Sequence, residues 1–294
     1  MCFDYEKESL TRRSFLTGAA AAVTGAALAS EIFAQQKSEP RALEDPKVIH
    51  GEVSFKSADD MIKGYLSRPK TTGRHYGIVV IHGNPGLPEW VRNFTARLAQ
   101  IGYAGLVLDL NSRVQPDSTK LDKPLEYYIS NTFDKQVTQD SLAAIEYMKA
   151  QAFAKSKGVG MVGFCGGGRK ALILSTQNKD IKAVVSFYGA VRFTRRNEKD
   201  PMPDVMDVVK EIKVPVQGHY GTLDKVAPVE DAKKFEQALK TQGTPVEMFY
   251  YEGAGHGFFD DSWQPEQNGA FGYNPAAAQL AHTRMVKFLK RKLK

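Results

Sequence analysis

Cysteine is nearly absent from this 294-residue chain: only Cys2 and Cys165 occur, so no disulfide framework can hold the fold and an apolar core must do so. Long apolar runs are missing as well. The stretch from Phe15 to about Leu28 is rich in Ala and Gly and falls short of the roughly 20 apolar residues that a membrane span needs. No His, Asp and Glu residues stand at the close spacing of a metal site, and no internal repeat indicates a solenoid or propeller. The formal charge of +7 comes from dispersed basic residues rather than a patch, so nucleic acid is not indicated as a partner. One dense run, Lys287, Lys290, Arg291, Lys292 and Lys294, ends a helical pattern, where cations offset the helix dipole.

What is present is an ordinary globular composition, 42% hydrophobic and 25% charged, with enough length for one large core. The N-terminus reads separately from the rest. Thr11-Arg12-Arg13-Ser14-Phe15-Leu16 resembles the twin-arginine export motif, and the small-residue stretch behind it suits cleavage after Ala29 or Ala34. The expected organisation is an export segment over 1–34, a linker over 35–50 and one domain over 51–294. That predicts a periplasmic or secreted protein that meets the twin-arginine export machinery. Cleavage would remove Cys2 and leave Cys165 as the lone thiol.

From Val53 onward, short runs rich in Val, Ile and aromatics alternate with segments of helical period, which predicts an α/β fold with a mostly parallel sheet between helices. Strands are expected at Glu52–Lys56, Ile62–Ser67, Ile78–His82, Ala104–Asp109, Gly158–Phe164, Ala183–Tyr188, Pro215–Tyr220 and Val246–Tyr251. Helices are expected at Trp90–Ile101, Lys135–Gln151, Gly167–Gln177, Val229–Thr241 and Pro275–Lys292. The central strands read as unbroken apolar runs, as both faces of a parallel sheet require. A charged, Pro-containing segment from Arg195 to Pro203 reads as a surface loop.

The chemistry concentrates behind three strands. Gly163-Phe164-Cys165-Gly166-Gly167 has the Gly-x-nucleophile-x-Gly pattern between a strand and a helix, with cysteine as the nucleophile. A thiol at a helix N-terminus gains thiolate character from the free N–H groups there. Two overlapping patterns fail on context. Gly158 to Gly163 matches G-x-G-x-x-G but is itself the strand, and Gly163 to Lys170 puts Arg169 and Lys170 where a phosphate loop needs Lys and then Ser or Thr.

A triad on this fold runs nucleophile, acid, base along the chain. Asp224, in Gly221-Thr222-Leu223-Asp224, and His256, in Gly255-His256-Gly257-Phe258, follow later strands in that order. An imidazole titrates near neutrality and can take and return the nucleophile's proton, while a carboxylate on its other nitrogen fixes the tautomer. His50, His75 and His282 read as solvated or structural. His82-Gly83-Asn84-Pro85-Gly86 stands where the backbone N–H of Asn84, together with that of Gly166, would hold an oxyanion; Pro85 has no N–H to offer. Phe164, Tyr188, Phe258 and Trp263 are candidates to line an acyl pocket.

Val80-Ile81-His82, Asp109-Leu110-Asn111-Ser112-Arg113, the cysteine elbow, Gly221 to Asp224, Gly255 to Phe258 and Tyr273-Asn274-Pro275 together resemble the dienelactone hydrolase family of α/β-hydrolases, over nearly all of the chain from Val53. The resemblance implies hydrolysis of an enol-lactone such as carboxymethylenebutenolide, with no metal and no organic cofactor, and with Cys165, Asp224 and His256 as the triad. It also implies that Arg113 grips a substrate carboxylate through two parallel hydrogen bonds. Two positions depart from the family pattern: Gly83 stands where many members carry a glutamate that meets the thiol, and Asp260 where members acting on dienelactone carry an arginine. The expected substrate is therefore an ester or lactone, neutral rather than anionic. Two other readings stay open: an acyltransferase that passes the acyl group to an alcohol, separable by product analysis, and a non-catalytic protein that retains a ligand in the same pocket without turnover.

Overall fold

Alternating Val- and Ile-rich runs and helical periods become eight strands and five α-helices among the described residues of the computed structural model, which are 41–83, 87–113, 134–192, 203–266 and 269–293. The expected export segment, Asn84 and nearly all of the charged loop at 195–203 lie outside them. The strands are β1 (Val48–Ser57), β2 (Asp60–Pro69), β3 (His75–Ile81), β4 (Ala104–Leu108), β5 (Ala154–Phe164), β6 (Ile181–Phe187), β7 (Val216–Gly221) and β8 (Val246–Tyr251). The helices are α1 (Glu89–Gln100), α2 (Asp134–Ala150), α3 (Gly166–Leu174), α4 (Val229–Thr241) and α5 (Pro275–Lys292).

All eight strands form one sheet in the order β1-β2-β4-β3-β5-β6-β7-β8. It is mixed rather than purely parallel. β2 pairs antiparallel with β1 through a tight turn and antiparallel again with β4, whereas β4, β3, β5, β6, β7 and β8 run parallel. Every residue of β4 is buried, and all of β3 beyond His75, as expected of strands covered on both faces. One core cluster includes Phe94, Phe164, Phe187, Phe258 and Phe288. The other gathers Ile81, Leu106, Met148, Leu172 and Phe235.

The folded unit begins before the expected boundary at residue 51. Ala42–Glu44 form a single 3-10 turn, Ala42 packs with Val48, Ala96 and Ala99, and the Leu43 N–H donates to Asn93 Oδ1 at 3.3 Å. The apolar surface of α1 thus captures residues that read as linker. His50, expected to precede a strand, lies inside β1, where its ring meets the Tyr65 hydroxyl at 2.5 Å and the Leu43 carbonyl at 2.9 Å.

At the far end of the chain, Asn274 caps α5: its Oδ1 accepts the Ala277 N–H at 3.1 Å, and Pro275 occupies the first turn, where a missing N–H costs nothing. The Asn274 N–H donates to the Phe258 carbonyl at 3.0 Å, so the cap also ties the helix to the loop that carries His256. Replacing Asn274 with Ala is expected to cost about 1 kcal/mol in urea unfolding, and Asn274→Asp should restore most of that loss.

Candidate active site

Parallel strands deliver their C-terminal ends to one edge of the sheet, and that edge is where catalytic groups of open α/β sheets gather. Cys165 follows β5 directly and opens α3. Its backbone sits at φ 53° and ψ −126°, a conformation that costs a non-glycine residue on the order of 1–3 kcal/mol. The surroundings hold it there. The Cys165 N–H donates to the Phe187 carbonyl at 3.0 Å and its carbonyl accepts the Gly168 N–H at 3.0 Å. A Cβ on Gly167 would lie 2.1 Å from the Ile81 carbonyl oxygen, so only glycine lets α3 approach β3 closely enough for the turn to form.

Three loops then bring three side chains into line. Cys165 Sγ lies 3.0 Å from His256 Nε2, and His256 Nδ1 lies 2.9 Å from Asp224 Oδ2. The other oxygen of Asp224 accepts the N–H groups of Val226 and Ala227 at 2.7 and 2.8 Å, which fixes the carboxylate while leaving Oδ2 for the imidazole. Asp224 and His256 are 5% and 4% exposed, so bulk water does not screen their interaction.

The loops that carry acid and base are zipped together by backbone. The Leu223 N–H donates to the Ala254 carbonyl at 2.9 Å and the Thr222 N–H to the Tyr251 carbonyl at 3.0 Å. A Cβ on Gly221 would fall 2.2 Å from the same Ala254 oxygen. The far side of the base loop is held by the His256 N–H, which donates to the Ala270 carbonyl at 2.7 Å, and by its own carbonyl, which accepts from Gly272 at 3.0 Å.

Burial alone would push the Cys165 thiol up. The positive field of His256, its hydrogen bond, the Gly166 N–H and the nearby Lys170 outweigh burial and bring the thiol below its usual range. Burial likewise works to lower His256, but the negative partners Cys165 and Asp224 raise it to about 10. The two groups titrate as a pair, and both shifts favour thiolate and imidazolium together at neutral pH.

The remaining expected residues divide. Tyr188 stands at the site, its ring 5.0 Å from that of His256, on a backbone with φ 40°. Burial first, then the negative charges of Asp260, Cys165 and Asp224, drive its hydroxyl well above the ordinary phenol range. Phe258 is fully buried behind Tyr188, 5.4 Å away. Phe164 is 1% exposed and enclosed by Trp90, Phe94, Phe187 and Phe259; it anchors the elbow from below instead of lining a pocket. Trp263 covers Gly257 and packs with Phe271. Phe271 itself, which sequence reasoning missed, stands edge-on to His256 at 5.7 Å. It lies in a stretch with no motif, brought to the site only by the loop hydrogen bonds above.

Arg113 is engaged elsewhere. Its Nε donates to both oxygens of Asp140 at 3.1 and 3.0 Å, its Nη2 to Asp140 Oδ1 at 2.7 Å and to the Ser57 carbonyl at 3.0 Å, and its Nη1 to Asp60. These bonds pin the β1–β2 turn to α2 and use all three nitrogens, which removes the fork that a substrate carboxylate would need. Position 83 has a physical reason as well: a Cβ there would lie 2.7 Å from Cys165 Cβ, so a glutamate cannot enter without moving Cys165. Asp260 is buried, and its Oδ1 accepts the Ser262 N–H and hydroxyl at 3.0 and 2.5 Å. Burial nevertheless raises its pKa.

The fold and this edge define the class, an α/β-hydrolase that brings a cysteine, a histidine and an aspartate into contact at the C-terminal ends of its strands. Residues 62–293 match the dienelactone hydrolase family, and the chain belongs to that family. A Methylorubrum extorquens protein named for carboxymethylenebutenolidase activity is 30% identical over 255 residues, 86% of each chain. A Bradyrhizobium protein named as a 2-oxo-3-(5-oxofuran-2-ylidene)propanoate lactonase is 28% identical over 227 residues, 77% of this chain and 88% of its own. The crystal structure of a Klebsiella pneumoniae dienelactone hydrolase homologue superposes with a TM-score of 0.74 at 26% identity, covering 83% of this chain and 99% of that one. The chain is therefore a hydrolase of lactone or ester bonds.

Because Asp140 is 6% exposed and Arg113 only 12%, Arg113→Met should strand a shielded carboxylate. The expected loss is about 3 kcal/mol of unfolding free energy, read by urea titration, with the KM for a neutral ester changed less than twofold.

Proposed function

We infer that this chain hydrolyses its ester or lactone through a covalent thioester on Cys165. The observation that supports this reading is the unbroken line from Cys165 sulfur through His256 to Asp224. The thiolate attacks the carbonyl carbon, forming a C–S bond and an oxyanion that the Gly166 N–H meets; Asn84 is taken as the second donor from its position after β3. The intermediate collapses, and the leaving alkoxide takes the proton from His256 Nε2. Water then gives a proton to the neutral imidazole as its oxygen attacks the thioester. The C–S bond breaks, the acid departs, and the thiolate–imidazolium pair is restored.

Asp224 acts on His256 rather than on the substrate, holding Nδ1–H toward itself so that Nε2 faces sulfur. With Arg113 committed to Asp140 and Asp260 supplying negative charge, neither position that the family resemblance singles out offers a cation to a substrate carboxylate. Export through the twin-arginine pathway is part of the same proposal, resting on Thr11 to Leu16 alone; cell fractionation that finds the protein only in the cytoplasm would remove it.

Cys165→Ala should lower kcat/KM for 4-nitrophenyl butyrate by at least 10³-fold while leaving the unfolding midpoint close to that of the parent; retained turnover would rule out the thioester. The pH dependence offers an independent check. Because the thiol is lowered and His256 raised, iodoacetamide inactivation should fall less steeply between pH 8 and pH 6 than that of an unpaired thiol. An unpaired thiol with a pKa near 8.5 would slow about tenfold per pH unit over that range, and His256→Ala should revert to that behaviour.

A further inference from the structure

Over the cycle set out above, His256 loses one of its two anchors. In the resting enzyme the imidazole is held at both ends, Nε2 by Cys165 sulfur at 3.0 Å and Nδ1 by Asp224 at 2.9 Å. An acylated sulfur is no longer an anion and accepts a hydrogen bond only weakly. Asp224 alone would then leave the ring free to pivot about a single bond, just when Nε2 has to take a proton from water. Backbone hydrogen bonds fix the main chain of His256, but they do not fix its ring.

Two aromatic rings from separate elements meet that imidazole. Tyr188, directly after β6, stands with its ring 5.0 Å from that of His256 at 62°, and Phe271, ahead of α5, stands 5.7 Å away at 66°. Each is braced from behind. Tyr188 is held at φ 40°, a conformation that a bulky residue adopts only where its surroundings impose it. Its N–H donates to the His219 carbonyl at 2.8 Å, and Phe258 backs its ring. Phe271 is the bridge partner of His256, and Trp263 packs against it while covering the open face of Gly257. Both rings lie within the roughly 6 Å at which an aromatic face attracts a cation, which favours the resting imidazolium. Steric confinement does not depend on charge, so it persists once the imidazole is neutral.

We propose that Tyr188 and Phe271 are positioning residues for the second half of the reaction, confining the imidazole of the acyl-enzyme so that Nε2 stays aimed at the thioester and the attacking water. Both act through His256. The assignment rests on the thioester reading above but has its own test. 4-Nitrophenolate leaves without needing a proton, so acylation by 4-nitrophenyl butyrate depends little on the aim of Nε2, whereas deacylation depends on it directly. Phe271→Leu and Tyr188→Leu should lower kcat about tenfold, a part of the roughly 10²–10⁴ that a placed general base supplies. The ratio kcat/KM should change less than about threefold, and nitrophenolate should appear as a burst followed by a slow line. Tyr188→Phe keeps the ring and should recover most of the rate. A fall in kcat/KM as large as that in kcat, with no burst, would overturn the proposal.

Cys165→Ala allows a readout without turnover, because it removes the sulfur anchor and leaves the imidazole to Asp224 and the two rings. The low-field proton NMR signal of His256 Nδ1–H, identified by its loss on adding Asp224→Asn, should be sharp in Cys165→Ala. Adding Phe271→Leu or Tyr188→Leu should broaden it through solvent exchange. A signal equally sharp with and without the rings would overturn the proposal whatever the kinetics. Should one leucine variant not fold, the other is read in the same way. A parent that forms no hydroxylamine-labile adduct on Cys165 would defeat the thioester mechanism by itself, and the resonance would still decide whether the rings hold the imidazole.

Discussion

A left-handed backbone at Cys165 is the constraint on which the remaining architecture turns. Sulfur can reach the imidazole only if the chain reverses sharply between β5 and α3, and a side-chain-bearing residue resists that reversal. The strain is met by close packing: Gly167 lets the helix fall against the Ile81 carbonyl, Gly83 leaves room for the cysteine Cβ, and Phe164, the preceding residue, is locked among five aromatic rings. Close packing therefore concentrates beneath Cys165. The aromatic cluster and the Cys165 thiol are two sides of one turn.

Electrostatics follow from that placement. A thiol buried by itself would stay protonated, and an imidazole buried by itself would stay neutral. Brought within hydrogen-bond distance, with Asp224 behind and a helix N-terminus in front, each makes the charged form of the other the favoured one. A glutamate at position 83, which the family resemblance implies beside the thiol, has no room here, so the balance rests on His256, the Gly166 N–H and Lys170.

Much of the fold could be read from the residues, because Val- and Ile-rich runs bounded by Gly, Pro and charged residues mark strands directly. β8, α4 and α5 begin and end at the residues expected. The reversed direction of β2 against β4 and the place of β4 outside β3 depend on long-range pairing that local pattern does not carry. The docking of Ala42 onto α1 escaped notice for the same reason. At the site, motif order pointed to Cys165, Asp224 and His256, which the structure brings into contact. Arg113 was misread because its partners, Asp140 and Asp60, lie 27 and 53 positions away. Phe164 was misread because a ring next to a nucleophile can face either the cavity or the core, and adjacency in sequence does not say which.

The backbone zipper between the loops after β7 and β8 carries a consequence for how such a scaffold diversifies. Carboxylate and imidazole are mounted on neighbouring strands whose register continues past the sheet, so backbone pairing fixes their separation. The pair is thereby mounted apart from the opposite flank of the sheet, which the hairpin, β4 and α1 form. Loops on that flank can change in length or sequence without disturbing the distance between the carboxylate and the imidazole.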